Sequence, residues 1–101
     1  MNLTYNEVRK MILDAIQQTR QGWIKASPDF RVYKENQGYI SGRNCHIQGY
    51  DVHDHSKVMH KNGVIKRFKK HPTPKARVYF VLPKYEKQFL ATHHGAVEDS
   101  F

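Results

Sequence analysis

Eight of the chain's 17 lysines and arginines fall within residues 57–77: Lys57, Lys61, Lys66, Arg67, Lys69, Lys70, Lys75 and Arg77. No acid interrupts them. The rest of the chain holds nine bases against nine acids, so this segment carries the whole net charge of +8. Such a block attracts phosphate. Each phosphate contact releases a condensed counterion, and that release drives binding at low salt. Tyr79, Phe68 and His60 or His71 are candidate stacking surfaces for unpaired bases. No RNP sequence, zinc-finger spacing or helix-turn-helix pattern accompanies the charge. The segment therefore indicates a polyanion and carries no sequence code. His71, Pro72, Thr73 and Pro74 lie inside it. Prolines lack a donor and favour extended backbone, so this run is expected to connect two strands. An exposed docking loop is the alternative.

The seven histidines are the second source of chemistry. In an extended chain Asp51, His53 and His55 would share one face, and two imidazoles with a carboxylate can hold a transition metal. Asp54 and Ser56 give the same stretch turn chemistry, so solvated histidines are expected and no metal or cofactor is assigned. A metal-independent ribonuclease needs a base, an acid and a cation for the developing charge. His46, His53 or His60 with Arg43, Arg67 or Arg77 and Tyr79 would supply them. No spacing selects among these residues, and none is assigned as catalytic. Cys45 is the single cysteine, which excludes an intrachain disulfide and points to a reducing compartment. It is expected as a buried or half-buried thiol in a strand, with a reactive thiol beside Arg43 as the alternative.

A pI near 9.8 belongs to the footprint of nucleic-acid binders. The expected partner is DNA or RNA, met through a basic hairpin and loop at 57–77, with Tyr79 beside it. Two other classes fit the same charge. One is an inhibitor or modulator, of the kind phages encode, that binds a nucleic-acid-processing enzyme. The other is the ribonuclease. Residues 1–22 are amphipathic without the apolar run of a signal peptide, and no stretch reaches the roughly 18–20 apolar residues of a membrane span. A cytoplasmic protein with no membrane partner is expected. A chain of 101 residues suits a single domain over 1–101. Its 12% aromatic content separates it from disordered basic chains.

These residues must be positioned by local structure. Thr4 and Glu7 form a capping-box pattern, with Leu3 and Val8 as a hydrophobic staple. Val8, Met11, Ile12, Ala15 and Ile16 then make one helical stripe. Gly22 is expected to stop that helix at C′, after Arg20 in its last turn. Alternation predicts strands over 30–35 and 77–82. The stretch 39–52 reads as extended, bent at Gly42 and Gly49, and 54–56 as a turn. Asn62-Gly63 between 57–60 and 64–68 is a hairpin signal. Pro83 is suited to open a second helix bearing Tyr85 and Phe89, with His93 and His94 at its negative end and Gly95 after it. Residues 95–101 are expected as a loose tail. The resulting fold class is α+β: an N-terminal helix on a 4–5-stranded antiparallel sheet, with a short C-terminal helix. The expected core is Leu3, Val8, Ile12, Ile16, Trp23, Phe30, Val32, Ile40, Val64, Val78, Phe80 and Leu82.

Overall fold

The computed structural model describes residues 4–26, 43–73 and 76–99. The strand expected at 30–35 and the core residues Leu3, Phe30, Val32 and Ile40 lie outside them. Helix α1 spans Tyr5–Thr19. Its start is the expected capping box: the Glu7 amide donates to Thr4 Oγ1 and the Thr4 amide to Glu7 Oε1, each at 3.2 Å. The stripe Val8, Met11, Ile12, Ala15 and Ile16 is buried. The helix stops earlier than the glycine implied. Arg20 is the cap, in a left-handed conformation at φ 58°, and its amide donates to the Gln17 carbonyl at 3.2 Å. Gly22 leads instead into β1 (Trp23–Lys25). Its φ of +94° favours glycine, and an added Cβ would collide with the Tyr85 ring.

The largest departure from expectation is α2, an α-helix over Arg43–Lys61. It replaces the extended stretch at 39–52 from residue 43 onward, the turn at 54–56 and the first arm of the hairpin. Cys45 therefore stands on a helix. Val52, Ser56 and Met59 are buried at helical spacing. A serine in the middle of that stripe hid the period. Asn62-Gly63 ends the helix rather than reversing a hairpin. Gly63 has φ +75°, its amide donates to the His60 carbonyl, and the Val64 amide reaches the Met59 carbonyl at 3.0 Å. This is a Schellman cap, for which an asparagine–glycine pair is equally well suited.

Strands β2 (Lys66–Lys69) and β3 (Val78–Val81) follow. A 3₁₀ turn at Pro83–Tyr85 leads to α3 (Glu86–Thr92), and β4 (Val97–Glu98) comes last. The described residues form a four-stranded antiparallel sheet in the order β1-β3-β2-β4. The N-terminal helix on an antiparallel sheet and the short C-terminal helix are as expected.

Side chains alternate across the sheet, so it buries two faces. Ile24, Ile65 and Phe80 meet α1 and α2, with Val64, Val78 and Leu82 packed at the margin. Phe68, Tyr79 and Val81 meet Phe89 of α3, with Trp23 beside them. Trp23 thus serves the second face, not the α1 core. The C-terminal segment also differs from the loose tail expected. Val97–Glu98 pairs with Phe68 and Lys69, and Asp99 is buried. An ion pair described below supplies the reason.

Candidate nucleic-acid interface

Antiparallel pairing brings one end of three strands together. Lys25 ends β1 opposite Tyr79, and Lys69 ends β2 opposite Val78. The Lys70 amide continues the ladder by donating to the Arg77 carbonyl at 3.0 Å. Neighbouring strands lie about 4.8 Å apart, so Lys25, Lys69, Lys70 and Arg77 share one end of the sheet, with Lys25 on the face of its partner Tyr79 and Lys69 on the opposite face with Val78. Lys70 and Arg77 are exposed, and Lys25 and Lys69 half-exposed. The connecting turn begins with exposed His71, Pro72 and Thr73. The Thr73 amide donates to the His71 carbonyl at 2.8 Å, a tight three-residue turn around Pro72 that suits its fixed φ. Lys69 Nζ donates to the Thr73 carbonyl at 3.4 Å. Pro74 and Lys75 lie outside the described residues.

The other members of the basic segment go elsewhere. Lys57 and Lys61 stand on the last turns of α2. That helix ends where β2 begins, so Lys61 is at the opposite end of β2 from Lys69. Lys66 pairs with Glu86 at 3.2 Å, both side chains about one-third exposed. Tyr79 is 4% exposed and packs in the α3 layer, so it offers no stacking surface. Phe68 is buried there too. The basic hairpin expected from the sequence is therefore a helix end plus the β2–β3 turn, with its charges divided.

Arg67 is the clearest correction. It is 3% exposed. Its Nε and Nη2 donate to Asp99 Oδ2 at 3.2 and 3.0 Å. Its Nη1 donates to the His53 carbonyl at 3.0 Å and to Ser56 Oγ. The guanidinium carbon also lies 5.9 Å from the centroid of the Phe80 ring. One side chain so ties α2, β2 and the segment after β4 together. Burial lowers the pKa of Arg67, and Asp99 opposes that shift. Nothing local could have revealed this pairing, because the partners are 32 residues apart.

A helix turns about 100° per residue, so His53 and His55 no longer share a face as they would in a strand. No group of three or more His, Cys, Asp or Glu that could hold a metal occurs among the described residues. His60 Nδ1 accepts from the Arg67 amide at 2.9 Å and Nε2 meets Glu98 at 2.9 Å, which occupies both ring nitrogens. His93 caps α3, with its Nδ1 3.0 Å from the Phe89 carbonyl. No helix among the described residues is long and apolar enough to cross a membrane.

Comparison with known proteins leaves the site to be read from its own geometry. No family model matches the chain, no curated protein matches it, and no solved structure matches it.

His53 gives the cluster a pH signature. Burial, then the charges of Arg67 and Lys57, lower its pKa from the ordinary 6.5, against smaller opposing contributions from Asp54 and Asp99. The unfolded chain then binds this proton at a higher pH than the folded one. Below pH 6.5 the unfolded state holds more protons, so stability falls as pH drops and levels off below the folded pKa. From about one pH unit above 6.5 both states are neutral and His53 contributes no slope. Urea midpoints measured between pH 7.5 and 5 should show this decline, and H53Q should flatten it. An unaltered slope in H53Q would assign the decline to other groups.

Proposed function

We propose that this protein binds nucleic acid through the cations at the β2–β3 rim: Lys69, Lys70 and Arg77, joined by Lys25 from the adjacent strand. The observation that supports the reading is the placement of four cations at one end of three neighbouring strands, in a chain of net charge +8. Ladder spacing holds the backbones of such side chains at fixed separations, which suits the repeated charges of a phosphate backbone. The binding is electrostatic and reads no bases. His71 and Thr73 extend the contact surface at the turn.

Fluorescence anisotropy with labelled 20-mer oligonucleotides, single- and double-stranded, tests this. Affinity should fall steeply between about 50 and 200 mM salt. A K69S/K70S/R77S variant should bind at least about tenfold more weakly. Its salt slope on duplex should shrink by about 0.9 for each phosphate it no longer neutralises. K66S should behave as the parent, because Lys66 is held by Glu86. Arg67 is left intact in these variants, since its loss acts on folding. Unchanged affinity and slope in the triple variant would reject the reading. An acidic face on a nucleic-acid-processing enzyme would then be the partner to test.

A further inference from the structure

At the opposite end of the sheet, where β1 begins and β3 ends, α1 and the Pro83–Tyr85 turn enclose an open groove of about 400 Å³. Small-molecule sites begin at roughly 300 Å³. Leu13, Ile16 and Leu82 form an apolar floor, and Tyr85 forms one wall. Arg20 and Lys84, both exposed, stand at the rim. No carboxylate is among the lining residues, and nearby Glu86 is engaged by Lys66 at 3.2 Å. An apolar slot with an aromatic wall and two cations suits a ligand with a flat body and an anionic head.

A second observation points to Arg20. It occupies a left-handed helix cap at φ 58°, a position where glycine is the unstrained choice. That cap ends α1 beside the groove and leaves the Arg20 side chain exposed there. Lys84 Nζ stands over the Tyr85 ring, 5.4 Å from its centroid, and Gly22 packs closely against the same side chain. An anionic head group drawn to Lys84 would therefore lie beside an aromatic side chain.

We propose that this groove binds a nucleoside monophosphate, with the base against Tyr85 and Leu82 and the phosphate between Arg20 and Lys84. Arginine and lysine both favour phosphate, and a ring wall favours a base over an alkyl chain. The ligand is either a free nucleotide or the 5′-phosphorylated end of a strand. The site is separate from the β2–β3 rim and does not depend on it.

Titration of the whole protein with adenosine 5′-monophosphate, followed by amide chemical shifts and calorimetry, tests the site. Shifts should concentrate at residues 13–22 and 82–85. The nucleotide should bind about tenfold or more tighter than adenosine, ribose 5-phosphate or octyl phosphate. R20G should lose about tenfold or more in affinity while raising the melting temperature, because glycine relieves the cap. A structural arginine would not separate those two readouts. K84M should lose affinity with the fold unchanged. The K69S/K70S/R77S variant should bind the mononucleotide like the parent, which keeps this test distinct from that of the rim. Tighter binding of 5′-phosphorylated dithymidine than of the mononucleotide would identify a strand end as the source, and equal binding a free nucleotide. Absence of groove shifts at about 5 mM nucleotide, equal binding of octyl phosphate, or unaltered affinity in R20G would overturn the proposal.

Discussion

Replacing Asp99 with alanine is expected to cost about 3–5 kcal/mol of folding stability, because it leaves the Arg67 guanidinium buried without its counter-charge. Two donors of that group rest on one Asp99 oxygen, at 3.2 and 3.0 Å. The His53 carbonyl and Ser56 Oγ, which also accept from the guanidinium, are neutral, and Asp54 acts on it less strongly than Asp99. The pair's burial decides the magnitude. Arg67 and Asp99 side chains are 4% and 11% exposed, whereas those of Lys66 and Glu86 are 35% and 31% exposed. E86A should therefore cost only about 0–1 kcal/mol. Urea unfolding followed by the fluorescence of Trp23, the single tryptophan, measures both. The double variant R67M/D99L removes both charges and should recover most of the stability that D99A forfeits. A cost below about 1 kcal/mol in D99A would mean that water reaches the guanidinium and that the pair behaves as a surface one.

That pair also explains which features the sequence disclosed. Helix α1 was legible because its signals are local: a cap and its partner three residues apart, then an apolar stripe. Strand β3 was legible because Val78, Phe80 and Leu82 alternate with Arg77, Tyr79 and Val81, and a central strand tolerates apolar residues on both sides. Helix α2 was not. Its buried stripe includes Ser56, held by the His53 carbonyl and Arg67, so the polar residue that breaks the pattern is explained only by tertiary structure. Asn62-Gly63 is chemically ambiguous, since a positive φ serves a helix cap as well as a hairpin. The sum of charge over 57–77 was legible and its distribution was not. Glu86 and Asp99 neutralise Lys66 and Arg67 from 20 and 32 residues away. Lys69, Lys70 and Arg77 instead end at the β2–β3 turn, a placement set by strand pairing rather than by sequence order.

Phe89→Ala should remove a further layer of the fold, at a cost of about 3–5 kcal/mol. Phe89 is fully buried and is the one buried residue of α3. Its ring lies 5.6 Å from Trp23, 5.3 Å from Phe68 and 5.1 Å from Tyr79, and it stacks on His93 at 4.2 Å. A seven-residue helix has too few internal hydrogen bonds to persist without such an anchor. Removing the ring should free α3 from the sheet while the α1 and α2 side, built on Ile12, Ile16 and Phe80, keeps its packing. Trp23 lies between the two outcomes. With Phe89 gone its indole meets water, so its emission should shift to the red before any denaturant is added. F89L retains much of the volume and should cost less than F89A. If F89A unfolds within about 1 kcal/mol of the parent and leaves Trp23 emission unmoved, α3 is not held by this residue. The second layer would then have to rest on Phe68, Tyr79 and Val81 alone.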